Sequence, residues 1–146
     1  MVSIRQATQQ DLFAITSMNR DLGYEGTDED FSERFQHIDT DDTHEIYVAE
    51  NEEKIILGWI HVSLYKTLLL KRFAMIVGLV VDKKYRRRGI GSLLLRNAEV
   101  WAKERGCFGV RIISGVSRKD QHIFNKKSGY GIIRTQILFK KFFTPL

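Results

Sequence analysis

Three consecutive arginines and two glycines form the densest group of chemically capable residues in the chain. They lie in the stretch Arg86-Arg87-Arg88-Gly89-Ile90-Gly91-Ser92, which we call the basic turn. Glycines let an anion approach the backbone closely, and arginines neutralise its charge. Backbone N–H groups at the start of a helix donate hydrogen bonds to phosphate oxygens. The basic turn is therefore predicted to bind a phosphate compound through residues 86–92.

The basic turn differs from two common phosphate-binding motifs. No Gly-Lys-Ser/Thr follows its glycines, so it is not a Walker loop, and Leu94 replaces the third glycine of a dinucleotide-binding fingerprint. A solvated basic turn and a nucleic-acid site are the alternative interpretations. Nucleic acid is disfavoured because the arginines lie on one turn rather than along a face, and no nucleic-acid-binding module accompanies them.

The segments beside the basic turn must position its backbone. An apolar run at residues 76–81 predicts a buried strand that enters the turn. A helix is predicted from Ile90 to about Arg105, and Gly106 follows its end. Its expected buried face consists of Ile90, Leu94, Ala98 and Trp101. The order strand, turn, helix places free N–H groups and the positive helix end at one point.

The remaining periodicities predict alternating strands and helices. Strands are predicted at residues 2–6, 45–50, 54–64, 73–81 and 108–114, with one or two more at 130–143. Helices are predicted after an N-cap at Thr8, over 28–38, from 90 and over 118–127. The first helix is expected to bury Leu12, Phe13, Ile15 and Met18. This order indicates an α/β or α+β fold with helices on both sides of a sheet.

Composition is typical of one globular domain spanning residues 1–146. The chain is 43% hydrophobic, contains one proline and has no apolar run long enough to cross a bilayer. The polar residues after Met1 give no indication of a signal peptide, and the single Cys107 excludes an internal disulfide. Cys107 is expected to pack rather than react. These features predict a cytoplasmic protein, and without a zinc-ligand spacing no metal is expected.

The charge is distributed unevenly along the chain. Residues 1–50 carry 12 acidic and 3 basic side chains, a net of −9, whereas residues 51–146 carry 6 and 20, a net of +14. The two values sum to the overall +5. The asymmetry suggests two differently charged ligands, an anion at the basic region and a cation at the acidic one.

Two segments resemble the GNAT superfamily of acyl-CoA N-acyltransferases. Residues 78–91 resemble that family's acyl-CoA signature, in which a strand L-x-V precedes an R/Q-x-x-G-x-G/A turn. A second segment resembles the one that closes the family's CoA site, through Arg118, His122, Phe124, Gly129 and Tyr130. The resemblance implies acetyl-CoA as the acyl donor and a primary amine as the acceptor.

The resemblance also implies a fold and a donor site. The fold would be a mixed, V-splayed sheet of six to seven strands with about four helices on its two faces. The backbone of Leu79–Val81, with Val80 between, would pair with the pantetheine amides. Residues 86–92 would hold the pyrophosphate. Phe124 and Lys127 would lie near the pantetheine or the nucleotide.

The chain departs from the family at two positions that often carry chemistry. Val77 stands where many members have a carboxylate base, and Asn125 stands where many have a tyrosine acid. His61, in the middle of a predicted strand, and Glu25, in the loop on the acceptor side, are the remaining candidate bases; exposed or structural roles compete for both. The resemblance predicts direct acetyl transfer to a cationic amine, by a monomer or homodimer. An acyl-CoA sensor or partner-binding module is the alternative.

Overall fold

A computed structural model of the chain describes residues 1–144. Its strands are β1 (Ser3–Gln6), β2 (His44–Glu50), β3 (Ile56–Tyr65), β4 (Phe73–Val81) and β5 (Val110–Ile112). Its α-helices are α1 (Leu12–Asp21), α2 (Asp28–Asp39), α3 (Ile90–Glu104) and α4 (Lys119–Lys127). The chain divides into two compact units. The first is Met1–Ile113, and the second begins at Ser114.

The first unit contains one mixed sheet with the strand order β1-β2-β3-β4-β5. The first four strands pair antiparallel in sequence order, and β5 pairs parallel to β4. A parallel neighbour requires a crossover, which α3 supplies. The mixed α/β architecture predicted from the sequence is thereby confirmed, as is the number of helices.

The predicted number of strands is wrong. Among the described residues the sheet has five strands rather than six or seven, and no residue from 130 to 143 lies in a strand. The β-branched and aromatic residues there favour a strand only where a neighbouring edge pairs with it. The strand predicted at 108–114 is also shorter, because its pairing with β4 extends only over Val110–Ile112.

Helices cover both faces of the sheet in the first unit. On β3, the indole of Trp59 donates a hydrogen bond to the side chain of Asn19 on α1, over 3.2 Å. A side chain at the adjacent Gly58 would instead meet Leu94 of α3. Successive strand residues point to opposite faces, so α1 and α3 lie on opposite sides.

The predicted buried face of α3 is confirmed. Ile90, Leu94, Ala98 and Trp101 are all buried. One expectation for α1 is wrong, because Phe13 is 77% exposed. The buried side of α1 contains Leu12, Ile15 and Met18 as predicted, together with the polar residues Thr16 and Asn19. Asn19 is buried because it accepts the Trp59 hydrogen bond, a contact that hydrophobic periodicity does not reveal.

Candidate functional site

The carboxyl-terminal half of β4 has a free edge. β4 pairs with β5 only over Ala74–Ile76, whereas its pairing with β3 continues to Val81. Within residues 1–144, no strand pairs with the other edge from Val77 onward. The sheet therefore splays beside β4, as the V-shaped prediction requires.

The backbone at this edge points into the splay at alternate residues. The Asp82 N–H donates to the carbonyl of Leu57, so the backbone polar groups of Asp82 point towards β3. Backbone polar groups alternate along a strand, so Val80 also faces β3. Leu79 and Val81 then direct their N–H and C=O groups to the free edge. These are the residues predicted to pair with an amide-containing ligand.

A bulge separates the paired and unpaired halves of β4. His61 is opposite Gly78 and Val62 is opposite Ile76, so Val77 has no partner. The Val77 side chain is 52% exposed. A Cβ atom on Gly78 would lie 2.6 Å from the ring of Trp59, so only glycine fits there. The bulge turns β4 away from β5 and opens the splay.

The basic turn follows β4 directly. The Asp82 carboxylate accepts from the N–H of Lys84, and the Arg86 side chain donates to the Val81 carbonyl. Arg87 has a φ of +64°, and Gly89, immediately before α3, has a φ of +78°. Left-handed residues of this kind occur in turns whose successive N–H groups bind anions.

The start of α3 offers an anion-binding surface. The N–H groups of a helix's first turn have no intrahelical partner, and Gly89 contributes no side-chain cap to them. A Cβ atom on Gly89 would meet nothing within 4 Å, so the space beside this glycine is open. The three arginines of the turn are exposed. These features fit a diphosphate, and they lie in line with the free edge of β4.

Two histidines meet on the sheet face that α1 covers. The Nδ1 atom of His44 and the Nε2 atom of His61 are 2.9 Å apart and share a hydrogen bond. The other ring nitrogen of His44 lies 3.7 Å from the carboxylate of Asp41. Because His61 is opposite Gly78, this row of three groups ends beside the β4 bulge.

Burial, together with a smaller effect from the nearby His44, lowers the pKa of His61 to about 4. The imidazole of His61 is therefore neutral near pH 7 and can accept a proton there only transiently. A proton arriving at His61 can pass to His44 across their 2.9 Å contact, whereas a charge on His44 disfavours a second charge on His61.

A cavity of about 320 Å³ borders His44 in the first unit. Its lining is dominated by carboxylates from Asp39, Asp41, Asp42 and Glu45, with one cation from Arg105. Arg105 follows the carboxyl-terminal end of α3, so the cavity lies about 22 Å from the basic turn along that helix. The acidic lining favours a cationic ligand.

The acidic segment between α1 and α2 has mixed roles. Asp28 forms an ion pair with Arg20, and Asp30 closes a capping box with Thr27 at the start of α2. Hydrogen bonds from Thr27 lower the pKa of Asp30. Glu25 is exposed in the loop before α2. The structure does not bring Glu25 together with the histidine pair.

The second unit contains three other predicted site residues, on α4. The Asn125 side chain donates to the Ser114 hydroxyl and accepts from Gln121. Its amide is thus already paired at both ends. Phe124 is half-buried and Lys127 is exposed. Their roles in donor binding remain predictions.

Other reactive groups do not form a site in the described part of the chain. Burial raises the pKa of Cys107, which keeps the thiol protonated near neutral pH. Among residues 1–144, no group of three or more His, Cys, Asp or Glu residues is arranged to hold a metal ion. No helix there is both long and apolar enough to cross a membrane.

Sequence reasoning missed His44 and Asp41. His44 lies one residue before the predicted strand at 45–50, so the predicted hairpin gave no signal for its contact with His61. Their contact also depends on register, and His44 is diagonal to His61 rather than opposite it. The bulge at Val77 was also missed, although Gly78 in an apolar strand is a typical sign of one.

Comparison with known proteins identifies a family. Residues 11–130 match the model of the acetyltransferase (GNAT) family. Comparison with curated protein sequences gives no significant match.

Solved structures share the fold over nearly the whole chain. A transcriptional regulator from Bacillus halodurans is 27% identical with a TM-score of 0.82, over 97% of this chain and 100% of that one. Glucosamine-6-phosphate N-acetyltransferase from Arabidopsis thaliana is 26% identical with a TM-score of 0.80, over 99% of both chains. The aminoglycoside 6'-N-acetyltransferase AAC(6')-Ih from Acinetobacter baumannii is 18% identical with a TM-score of 0.86, over 99% of this chain and 100% of that one.

Proposed function

The chain belongs to the acetyltransferase (GNAT) family, and we propose that it transfers the acetyl group of acetyl-CoA directly to a primary amine. The acceptor is a small molecule or a peptide. The observation that carries this proposal is the continuity of the free β4 edge, the basic turn and the open start of α3. An amide-containing arm and a diphosphate are the two chemical parts that such a continuous surface fits, and CoA joins them in one molecule.

Donor binding is assigned to main-chain groups first. The backbone of Leu79–Val81 pairs with the pantetheine arm as an added strand would. Residues 86–92 hold the pyrophosphate through amides and arginine side chains. Phe124 and Lys127 of the second unit contact the pantetheine or the nucleotide. Support for the first two assignments is the outward direction of the Leu79 and Val81 peptide groups and the open space before Gly89.

His61 is the proposed proton acceptor. The amine nitrogen attacks the thioester carbon, a C–N bond forms, and the C–S bond breaks with sulfur leaving as a thiolate. His61, directly or through a water molecule, takes the proton that the amine loses and can pass it to His44 across their hydrogen bond, beside the Asp41 carboxylate. The Asn125 amide is too weak an acid to protonate the thiolate, so the thiolate takes its proton from solvent. Glu25 is the second candidate base.

The acceptor is proposed to be a cationic amine. Support comes from the four carboxylates around the cavity at His44 and from the net charge of −9 over residues 1–50. The Arabidopsis relative is named for an amino-sugar phosphate, which is an amine acceptor. The cytoplasm is the expected location.

Turnover with an amine library tests the proposal. Purified protein is mixed with acetyl-CoA and amines, and released thiol is followed. His61→Gln should lower turnover by about 10²–10⁴-fold with CoA affinity unchanged. His37→Gln, at an exposed histidine of α2, is the matched control and should leave turnover unchanged.

An acyl-CoA sensor is the second candidate function. It is favoured by Val77 and Asn125, which lack ionisable groups, and by a relative that is named a transcriptional regulator. CoA binding without turnover of any amine supports the sensor. Absence of CoA binding contradicts both functions.

A further inference from the structure

The connection between β3 and β4 combines exposed leucines with cations. Residues 66–72, which we call the leucine loop, have the sequence Lys-Thr-Leu-Leu-Leu-Lys-Arg. Leu68 is fully exposed and Leu69 is 92% exposed. Turns between strands ordinarily consist of Gly, Asn, Asp and Ser rather than of apolar residues. Two exposed leucines side by side in such a loop indicate a contact with another surface.

Hydrogen bonds fix the backbone of the leucine loop. The Thr67 hydroxyl accepts from the N–H groups of residues 69 and 70, over 3.2 and 3.0 Å. At the base of the loop, the Arg72 side chain donates to the carbonyl of Arg105, and the Arg72 carbonyl accepts from the N–H of Phe108. The leucines are therefore presented by an ordered backbone, so little conformational entropy is lost when they contact a surface.

The charged side chains of the leucine loop are all basic. Lys66, Lys71 and Arg72 are exposed, and no Asp or Glu occurs between residues 54 and 81. The Lys71 ammonium lies 4.1 Å from the centre of the Phe108 ring, and Phe108 is itself 68% exposed. Exposed apolar groups and cations thus share one end of the β3–β4 pair. Segments that lie at the surface of an anionic membrane have this combination.

The size and composition of the leucine loop favour a lipid surface over other anionic partners. A protein interface of standard size needs about 20–30 residues from each side, whereas the loop has seven. Single-stranded nucleic acid is bound by aromatic side chains that stack on bases, which leucine cannot do. At a lipid surface, aliphatic side chains leave water while the charged ends of lysine and arginine remain beside the phosphates.

We propose that the leucine loop binds the protein peripherally to an anionic phospholipid membrane. Leu68 and Leu69 insert among the lipid head groups, and Lys66, Lys71 and Arg72 pair with the lipid phosphates. The protein lies on the membrane and does not cross it. The proposal is independent of the acetyltransferase reaction.

Acidic residues at the same end of the sheet limit how much of the protein contacts the membrane. Asp41 and Asp42 precede β2, and the carbonyl of Thr43 accepts from the N–H of Leu64 near the end of β3. An anionic surface repels these carboxylates. We therefore expect reversible binding through the leucine loop alone, weakened by salt and by a lower content of anionic lipid.

Cosedimentation with lipid vesicles measures the binding and its dependence on charge. The full chain is mixed with vesicles of phosphatidylglycerol and phosphatidylcholine in equal parts, and separately with vesicles of phosphatidylcholine alone. The wild type should bind the anionic vesicles and not the neutral ones. Lys66→Gln with Lys71→Gln should lower the affinity about 25-fold, because each cation near an anionic leaflet contributes about fivefold.

A second variant tests the insertion of the leucines. Leu68→Gln with Leu69→Gln should lower the affinity for anionic vesicles about 100-fold or more, because burying one leucine side chain contributes about tenfold or more. Both side chains are exposed, so the circular dichroism spectrum should be unchanged. Leu22→Gln with Ile55→Gln, at exposed apolar residues of two other loops, is the matched control and should bind as the wild type does.

A fluorescent label distinguishes insertion from adsorption at the surface. In a Cys107→Ser background, an environment-sensitive dye attached at Leu69→Cys should shift its emission to the blue with anionic vesicles. The same dye at Glu53→Cys, in the exposed turn between β2 and β3, should not shift.

Several results would overturn the proposal. They are a wild type that binds neither kind of vesicle, and a leucine variant that binds anionic vesicles as tightly as the wild type. Loss of vesicle binding in Arg86→Gln with Arg87→Gln, but not in the loop variants, assigns the membrane contact to the basic turn. Displacement of the vesicles by duplex DNA, with the leucine variant binding that DNA unchanged, assigns the loop cations to nucleic acid instead.

Discussion

Gly89 offers the sharpest test of where a diphosphate binds. Gly89 adopts φ 78° and ψ 9° immediately before α3, and a Cβ atom there would point into open space. Gly89→Val should therefore cost only backbone strain in the free protein, about 1–2 kcal/mol. The valine methyl groups would stand in front of the α3 amides, where the phosphate oxygens are expected.

The expected loss of CoA affinity is larger than the loss of stability. Displacing the pyrophosphate from one or two charge-assisted hydrogen bonds costs about 2–4 kcal/mol, which raises the Kd roughly 30- to 1,000-fold. Isothermal titration calorimetry with CoA measures the Kd, and thermal unfolding measures the stability.

Gly106 supplies a matched control for this substitution. It follows the other end of α3 with a φ of +71°, and a Cβ atom there also meets nothing within 4 Å. Gly106→Val should lose similar stability and keep wild-type CoA affinity. The placement of the phosphate is refuted if folded Gly89→Val binds CoA as the wild type does, or if Gly106→Val weakens CoA binding equally.

Three further predictions concern packing and pH. Between pH 6.5 and about 4 the unfolded chain takes up a proton at His61 that the folded chain does not, because burial lowers the pKa of His61 to about 4. The free energy of unfolding should thus fall as pH falls, by up to about 3 kcal/mol. Urea titrations at several pH values measure this dependence, and the free energy of unfolding should change less with pH in His61→Gln than in the wild type. An equal change in both proteins would contradict the burial of a neutral imidazole. Gly78→Ala should destabilise by about 1–3 kcal/mol because its Cβ would lie 2.6 Å from the Trp59 ring, and Trp59→Leu should relieve the clash in the double variant. Arg5→Ala leaves two buried carboxylates, Asp11 and Glu50, without the arginine that they share. The free energy of unfolding, measured by thermal unfolding, should fall by roughly 2 kcal/mol. This loss is at the lower end for a buried ion pair because Arg5 is itself partly exposed. Arg5→Lys should recover little of this loss, because a single ammonium cannot bond both carboxylates in the same planar geometry.

Local sequence was sufficient to predict β4, the basic turn and α3. The apolar run before Asp82, the arginines and the glycine pair act through neighbouring peptide groups, so their order along the chain already specifies strand, turn and helix. The periodicity of α3 likewise determined its buried face, because a helix places residues three and four apart on one side. These features are confirmed in the fold.

Tertiary structure alone decided the contact between the two histidines and the free sheet edge. The His44–His61 contact depends on the register of two strands, and the bulge at Val77 depends on how Trp59 packs over Gly78. Residues 130–143 have the composition of a strand, yet pairing requires a free partner edge, which no property of these residues can supply. The sequence specified which helix, strand or turn each segment favours locally. Only the folded chain decided which segments meet, because contacts between distant residues depend on register and packing.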